Sequence, residues 1–352
     1  MRQIDWRELY ASNRAAIERG GGPSATLATT APLPVSTPRA EEGESWITAE
    51  GARRALVHAP PSATAKTALP LVCMLHGCTQ DAAALAQATL MNEAADRLGF
   101  VVVYPQQELR DNQQSCWNWF MPEHQARGAG EPAAIAQIVR EVIGTTSSWT
   151  IDTRRVFVAG LSAGGAMAAI LAATYPDVFA ALAVHSGLAY GSATNMGDAF
   201  SAMAHGGKQP TTQGRAAHAA MGGLARPVPT AVIHGTADGT VAPVNGRQVL
   251  QQWMTANSLA SPESCDLDIA RPSESRRAEV AGGHAYSQSR WTNDRGALMH
   301  ELLEVDGLGH AWSGGAPGRP YSDPNGPDAT GAILRFFADA TAGEPVAGNH
   351  QG

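Results

Sequence analysis

The feature that most constrains this chain is the alternation, from Trp46 onward, of short apolar runs with longer stretches of helical pattern. Each stretch is closed by Gly, Pro, Asp or Asn, and the order strand, helix, strand recurs throughout the region. Near-continuous apolar runs are typical of parallel strands that are covered on both faces. The sequence therefore predicts an α/β fold with a mostly parallel central sheet and helices on both of its faces.

The predicted elements can be placed along the chain from these two patterns. The buried strands are expected at 69–75, 100–104, 155–159, 180–185, 230–234 and 299–305. The helices are expected at 83–98, 132–143, 164–174, 243–254 and 328–340.

The chain has 352 residues, of which 44% are hydrophobic, so it can bury a large core. We expect residues 1–45 to form a short N-terminal helix, over 5–19, and a flexible linker rich in Gly, Pro, Ser, Thr and Ala. Residues 46–340 form the predicted folded domain, followed by a flexible tail over 341–352. The Gly-rich, poorly periodic segment 187–226 is predicted to be a long loop that covers the carboxyl edge of the sheet.

Charge and composition exclude several classes of partner. The formal net charge is -7, and the Lys and Arg residues are scattered, which argues against nucleic acid or an anionic membrane as a partner. No apolar run reaches the length of a membrane span, and the first twenty residues lack the apolar core of a secretory signal. We therefore expect a cytoplasmic protein, or an exported one if a leader has been removed. The four cysteines lack the paired spacing of a zinc site.

The stretch AGLSAGG, residues 159–165, joins a predicted strand to a predicted helix. A serine with Gly two residues away on each side is the pattern of the nucleophile elbow of the α/β-hydrolase fold. There the serine adopts a strained conformation, and the glycines avoid clashes between turn, strand and helix. The sequence therefore predicts Ser162 as a nucleophile at a strand-to-helix turn.

A serine hydroxyl needs a base and an orienting carboxylate, which follow the nucleophile in the order acid and then His in this fold. The acid is predicted from GTADGTV, which places Asp238 directly after the strand at 230–234. Catalytic carboxylates lie at such carboxyl ends of strands, although Asp-Gly is also a common turn. Asp306 remains the alternative acid.

The base is predicted from DGLGHAWSGG, a Gly-rich stretch directly after the strand at 299–305. This position makes His310 the expected general base. His234, within or at the end of a strand, and His284, in a polar segment, are weaker candidates.

A reaction at Ser162 also needs donors for an oxyanion. The helix that follows the elbow directs free N–H groups toward the serine, and Ala163 would supply one of them. The second donor is expected in the loop after an earlier strand, where LHGCTQ places the N–H of Cys78. This chemistry requires no metal ion and no cofactor.

Seven segments occur in an order that resembles the poly(3-hydroxybutyrate) depolymerase family of esterases: LHGCTQ, GFVVVYPQQ, CWNWF, AGLSAGG, HSGLAYG, HGTADGTV and GHAWSGG. The resemblance covers roughly residues 69–337. It implies an α/β-hydrolase fold, and it implies the same triad and oxyanion donors that the residues themselves predict. The expected activity is that of a serine esterase.

Resemblance to this family implies more than one substrate class. Short-chain polyhydroxyalkanoate, poly(3-hydroxybutyrate) or its oligomers, is the first expectation, and feruloyl or acetyl esters of plant polysaccharides are the alternative. Because no polymer-binding domain follows the predicted last helix, soluble oligomers, short esters or amorphous polymer are expected rather than crystalline granules. A non-catalytic binding protein on this fold would typically have lost a triad member, and all three are present.

Similar proteins place a cysteine in each of the LHGCTQ and CWNWF motifs. The resemblance thus implies that Cys78 and Cys116 could be bridged, which would hold the oxyanion loop rigid. Two reduced thiols are the alternative, favoured by a cytosolic compartment.

Aromatic residues make up 6% of the chain, and a few of them fall in the motifs. Trp312, two residues beyond His310, is expected to face an ester substrate. Trp117 and Trp119 are expected either to bind substrate or to anchor their own loop. Segment 187–226, with Tyr190, is expected to cover the active site and shape its acyl pocket.

Overall fold

The computed structural model describes residues 43–49, 53–144, 148–263 and 265–342. The predicted helix over 5–19, almost all of the predicted linker and the tail from residue 343 onward lie outside these ranges. The described residues cover nearly all of the predicted folded domain, from its first strand to just after its last helix.

A ten-stranded sheet forms the centre of the molecule, in the order β1-β2-β4-β3-β5-β6-β7-β10-β9-β8. The six strands from β4 to β10 in this order are parallel, and antiparallel pairs flank them at both ends. A separate small sheet pairs β11 with β12. The strands are β1 (Glu44–Thr48), β2 (Arg54–His58), β3 (Ala68–Leu75), β4 (Val101–Pro105), β5 (Thr150–Leu161), β6 (Ala181–His185), β7 (Thr230–Gly235), β8 (Glu274–Glu279), β9 (Ala285–Thr292), β10 (Leu298–Val305), β11 (Trp312–Ser313) and β12 (Ser322–Asp323).

Helices cover both faces of the sheet, and each face has its own apolar core. One core joins the sheet to α3, α4 and α7, and the other joins it to α1, α2 and α8. The helices are α1 (Ala82–Thr89), α2 (Met91–Leu98), α3 (Gly130–Gly144), α4 (Ala163–Thr174), α5 (Met196–His205), α6 (Pro210–Met221), α7 (Val244–Ala260) and α8 (Ala329–Thr341). The predicted α/β-hydrolase fold, with a mostly parallel sheet and helices on both faces, is confirmed.

The six predicted strands correspond to the six parallel strands, and the antiparallel strands were not predicted. The outermost strands are short or polar: β8 reads ESRRAE and is largely exposed, and β1 has no fully buried residue. Strands at the edge of a sheet bury little side-chain surface, so their sequences lack the apolar run that marks a central strand.

The helix predicted over 83–98 is wrong, because the structure breaks it into α1 and α2 at Leu90, whose φ is 56°. The carbonyls at the end of α1 bond to partners outside it. Ala88 O accepts the Ala316 N–H, and Thr89 O accepts the Thr330 hydroxyl. These contacts come from distant parts of the chain, so the local helical pattern could not reveal the break.

The prediction of a long loop over 187–226 is also wrong, because this segment contains α5, α6 and a 3-10 turn over Gly222–Leu224. The C-terminal end of α5 lies against the first turn of α7, where Asn245 Nδ2 donates to Ala202 O. The helical pattern of segment 187–226 was obscured by its glycines, two of which lie inside α5 and α6.

The membrane prediction can be compared with the helices of the structure. None of the helices in the described residues has both the length and the apolar character that crossing a bilayer requires.

The buried histidine His300, on β10, predicts how stability depends on pH. Burial lowers its pKa to about 3, against 6.5 for an exposed imidazole. Between these values the unfolded chain binds more protons than the folded one. The stability contribution of the neutral ring is therefore complete above pH 6.5 and is lost as the pH falls toward 3.

We expect His300→Gln to flatten the fall in unfolding free energy between pH 6.5 and 4, by up to about 1.4 kcal/mol per pH unit. Urea denaturation at several pH values measures this slope. His205→Gln, at an exposed position on α5, is the matched control and should keep the wild-type slope. Equal slopes for wild type and His300→Gln would contradict the prediction.

Candidate active site

The elbow at Ser162 joins β5 to α4, as the sequence predicted. Ser162 has a φ of 59° and a ψ of -121°, a strained conformation for a residue with a side chain. A Cβ on Gly160 would lie 2.3 Å from the Gly164 carbonyl carbon, and one on Gly164 would lie 2.0 Å from Leu75 O. Both glycines are therefore required by close backbone contacts, which hold the turn in this shape.

Strand pairing fixes where the serine lies. The Ser162 N–H donates to His185 O at the end of β6, over 2.9 Å. The N-terminus of α4 begins at Ala163, so the positive end of the helix dipole lies next to the serine. Ser162 thus lies at the carboxyl edge of the sheet, where ligands bind in open α/β folds.

Asp238 and His310 come together beside the same edge. His310 Nδ1 donates to Asp238 Oδ2 over 2.8 Å, although 72 residues separate them in the chain. Asp238 Oδ1 accepts the N–H groups of Thr240 and Val241 at 3.0 Å and 2.9 Å. These bonds lock the carboxylate in the turn after β7 and leave the other imidazole nitrogen, His310 Nε2, as an acceptor.

The pKa of Asp238 lies well below its ordinary value, although burial alone would raise it. The ring N–H groups of His234 and His310 and the Val241 amide outweigh burial. His234 Nε2 is shared, at 2.8 Å from Val241 O and 3.5 Å from Asp238 Oδ2. Asp238 is therefore a charged, almost fully buried carboxylate.

The weaker candidates from the sequence have other partners. Asp306 forms an ion pair with Arg277 at the surface and makes no contact with His310. His284 Nε2 bonds to Asp323 over 2.9 Å. Of the two candidate acids, Asp238 is the one that the structure brings to an imidazole.

Within the described residues, neither the Ser162 hydroxyl nor His310 Nε2 has a hydrogen-bond partner. Both groups are therefore available to a substrate. Hydrogen bonds between nucleophile and base are often long without substrate and tighten when it binds.

His185 joins the elbow to the loop of His310. Its carbonyl accepts the Ser162 N–H, its Nε2 accepts the Ser313 N–H over 3.1 Å, and its ring stacks on Trp312 at 4.9 Å between centroids. Burial, with the neighbouring His234 and His310, lowers the pKa of His185 to about 3, so the ring is neutral. The sequence reasoning assigned His185 no role, although this histidine ends an otherwise apolar strand and opens the HSGLAYG motif.

The loop after β3 lies directly on the elbow. A Cβ built on Gly77 would lie 3.4 Å from Ser162 Cβ. In the described part of the chain, the backbone N–H groups of Cys78 and Ala163 donate to no acceptor. Unpaired backbone N–H groups therefore lie in the two segments next to the serine, and donors of this kind can stabilise an oxyanion.

Two features hold in place the loop after β3, residues 76–81, which is called the oxyanion loop for its proposed role. The first is a disulfide between Cys78 and Cys116, the bridged alternative of the two that the sequence left open. The second is His76, whose Nδ1–H donates to Gly77 O while Nε2 accepts the Gln107 N–H. Burial lowers the pKa of His76, which keeps the ring in this neutral form.

A buried carboxylate organises the disulfide-linked loop from the other side. Glu131, at the start of α3, is fully buried and accepts the Asn118 N–H, the Asn118 side-chain amide and the Gln107 side-chain amide, at 2.6 Å to 2.7 Å. Gln107 also donates to Cys116 O over 3.0 Å. No sequence motif marked Glu131, because an acidic residue in the first turn of a helix is commonplace.

The prediction that Trp312 faces substrate is wrong. Its indole is fully buried, stacks on His185 and donates to the Thr330 hydroxyl over 3.1 Å. A side chain with no exposed surface supports the loop from behind.

The other aromatic residues differ in exposure. Trp117 is fully buried and its indole N–H donates to His76 O, so it anchors its own loop, which is one of the two alternatives predicted for it. Trp119 is 5% exposed and packs edge-on against Phe120. Tyr190 is partly buried, and its hydroxyl donates to Gln125 O over 3.0 Å.

Among the described residues, no group of three or more His, Cys, Asp and Glu side chains is arranged to hold a metal ion. Among the side chains that the structure describes at this site, the buried His234 Nδ1 has no hydrogen-bond partner.

The known proteins to which this chain is similar are esterases and depolymerases. The sequence model of the family described as Esterase PHB depolymerase matches residues 53–281, well over half of the chain. Poly(3-hydroxyalkanoate) depolymerase C of Paucimonas lemoignei is 36% identical over 75% of this chain and 59% of its own length. The probable acetylxylan esterase A of Neosartorya fischeri is 34% identical over 52% of this chain and 50% of its own. The chain thus spans between half and three-fifths of these two curated relatives.

The fold has solved counterparts. The acetyl xylan esterase from Aspergillus awamori superposes with a TM-score of 0.66, covering 84% of this chain and 99% of that one, at 21% identity. At this identity the likeness concerns the fold alone.

The close backbone contact at Gly164 predicts a large effect of a single methyl group. In Gly164→Ala the new Cβ would meet Leu75 O at 2.0 Å, so strand, turn and helix must separate. We expect the free energy of unfolding to fall by about 1–3 kcal/mol or more. Gly223→Ala, where no atom lies within 4 Å of the new Cβ, is the matched control. Similar denaturation midpoints for the two variants would contradict this account of the elbow.

Proposed function

Because the chain belongs to the esterase family of PHB depolymerases, we propose that it is a serine esterase that hydrolyses short-chain polyhydroxyalkanoate, poly(3-hydroxybutyrate) and its oligomers. The observation that carries the proposal is the buried Asp238–His310 pair at the same sheet edge as the strained Ser162. The 36% identity to a poly(3-hydroxyalkanoate) depolymerase supports the choice of substrate.

The proposed reaction begins with attack of Ser162 Oγ on the ester carbonyl. His310 Nε2 takes the serine proton, and Asp238 holds the Nδ1–H tautomer and stabilises the imidazolium. The N–H groups of Cys78 and Ala163 bind the oxyanion of the tetrahedral intermediate. The alcohol leaves with the proton from His310, and an acyl-serine remains.

Hydrolysis of the acyl-serine by water completes the cycle and uses the same residues. His310 removes a proton from water, hydroxide attacks the acyl carbonyl, and the same two N–H groups stabilise the second oxyanion. The collapse of this intermediate returns the proton to Ser162 and releases the acid. The rigid supports of the oxyanion loop suit this mechanism, because preorganised donors need no rearrangement when charge develops.

A second candidate is an esterase of acetylated plant polysaccharide. It is favoured by the acetylxylan esterase among the sequence relatives. The catalytic groups would be the same, and only the surface around the acyl and alcohol groups would differ.

The disulfide of this protein indicates the compartment in which it works. Thiols in the cytosol are kept reduced, whereas exported proteins keep their disulfides. The Cys78–Cys116 bridge therefore favours the exported alternative over the cytoplasmic one.

The triad assignment predicts the effects of three substitutions. Ser162→Ala should lower kcat about 10⁴- to 10⁶-fold, and Asp238→Asn about 10⁴-fold, because the second stabilises the wrong imidazole tautomer. Asp306→Asn, the matched control at the surface ion pair, should stay near wild type. The measurement is hydrolysis of p-nitrophenyl butyrate, with mapping of a fluorophosphonate probe to its residue. Labelling of a serine other than Ser162 would refute the assignment.

The substrate assignment predicts a ranking of esters. We expect kcat/KM for soluble 3-hydroxybutyrate oligomers to exceed that for acetylated xylo-oligosaccharides and methyl ferulate by about tenfold or more. Parallel assays of acid release with one enzyme preparation measure the ratio. A preference for the acetylated sugar would support the second candidate and overturn the first.

A further inference from the structure

Two residues at the rim of the site share an uncommon backbone conformation. Thr79 has a φ of 62° and Tyr321 a φ of 56°, and neither is a glycine. Left-handed residues with large side chains persist where their surroundings hold them, and they occur often at ligand sites. The Thr79 and Tyr321 hydroxyls are 2.7 Å apart, although the residues are 242 positions apart in sequence.

Hydrogen bonds define the direction of this contact. The Thr79 hydroxyl donates to Cys78 O over 2.6 Å, which uses its single proton. The Tyr321 O–H therefore donates to Thr79 Oγ1. The aromatic side chain is thus tied at its tip to the residue directly after the proposed oxyanion donor.

Tyr321 is also tied at its backbone to the loop of the proposed base. Its carbonyl accepts the Trp312 N–H over 2.8 Å, two residues beyond His310, and the next residue begins β12. The ring therefore spans from the loop of the base to the oxyanion loop. These two loops border the same edge of the sheet as Ser162.

Exposure separates Tyr321 from the tryptophans of the site motifs. Tyr321 is 39% exposed, whereas Trp117 and Trp312 are fully buried. An aromatic face fixed at both ends and open to solvent beside a reactive serine can pack against apolar parts of a ligand.

From this geometry we propose that Tyr321 is a substrate-binding residue, whose ring packs against the hydroxyacyl unit next to the scissile ester. The inference rests on the proposed esterase function and assigns it a subsite for an oligomeric ester. The contact lies beyond the reacting carbonyl, so it strengthens the binding of oligomers and leaves a minimal ester unaffected.

The left-handed conformation permits a sharp test. Glycine adopts a positive φ without strain, so Tyr321→Gly removes the ring and relieves the backbone at once. Tyr321→Phe keeps the ring and removes only the hydrogen bond to Thr79. Tyr321→Leu keeps apolar bulk without the aromatic face. Leu259→Ala, at an exposed position on α7, is the control.

For Tyr321→Gly we expect KM for a soluble 3-hydroxybutyrate trimer to rise about fivefold to tenfold, the loss of one aromatic contact, with kcat nearly unchanged. KM and kcat for p-nitrophenyl acetate should stay within about twofold of wild type. Tyr321→Leu should follow Tyr321→Gly, whereas Tyr321→Phe and the control should follow wild type. Thermal unfolding of each variant reports any structural loss separately.

The outcomes separate a failure of the Tyr321 subsite from a failure of the proposed esterase function. Unchanged trimer kinetics in Tyr321→Gly and Tyr321→Leu would overturn the subsite. Equal losses on trimer and acetate would assign Tyr321 to support of the oxyanion loop, which also overturns it. A wild-type protein that cleaves neither ester would refute the proposed function itself.

Discussion

The backbone contact between β3, the elbow and α4 is the constraint on which the rest of the site depends. Leu75 pairs with Gly160 in the parallel ladder, and a side chain on Gly164 would collide with the Leu75 carbonyl. This approach forces the chain to turn sharply at Ser162, so the serine stands above the sheet edge with a positive φ. The same contact brings the loop after β3 onto the serine, which places an unpaired N–H beside it. The proposed nucleophile and the proposed oxyanion donors are thus positioned by one packing arrangement.

Neutral histidines join the loops that this arrangement brings together. A neutral imidazole has one donor and one acceptor, so it can link two backbone segments without a buried charge. The His76 ring links Gly77 O, in the loop after β3, to the Gln107 N–H just after β4. The His185 ring accepts the Ser313 N–H, while the His185 carbonyl accepts the Ser162 N–H, so this residue joins the elbow to the segment after His310. Burial lowers both pKa values, which keeps the rings in the linking form. Asp238 is the contrasting case, because the groups around it stabilise its charge.

Sequence patterns predicted the parts of the molecule that are fully buried or whose conformation is set by neighbouring residues in the chain. Central strands bury both faces and read as apolar runs, and the elbow needs small residues at fixed spacing, so both could be predicted. The edge strands, the break at Leu90 and the helices of 187–226 depend on tertiary contacts that no window of sequence contains. Asp238 and His310 were each predicted from a position directly after a buried strand. They pair in the structure because β7 and β10 are neighbouring parallel strands, whose ends meet at one edge.

Trp312 and Tyr321 show why closeness in sequence to His310 is a poor guide to which aromatic side chain is exposed. Trp312 follows His310 closely, but it pairs with Ser322 in the small sheet and turns its indole into the core against His185. The chain then returns after nine residues, and Tyr321 precedes the pairing strand with its ring left partly open. The strand that buries one aromatic residue thus sets the position of the other. The pairing of β11 with β12 therefore determines that the Trp312 side chain is buried and that the Tyr321 side chain is left exposed to a ligand. Distance along the chain from His310 does not determine this exposure.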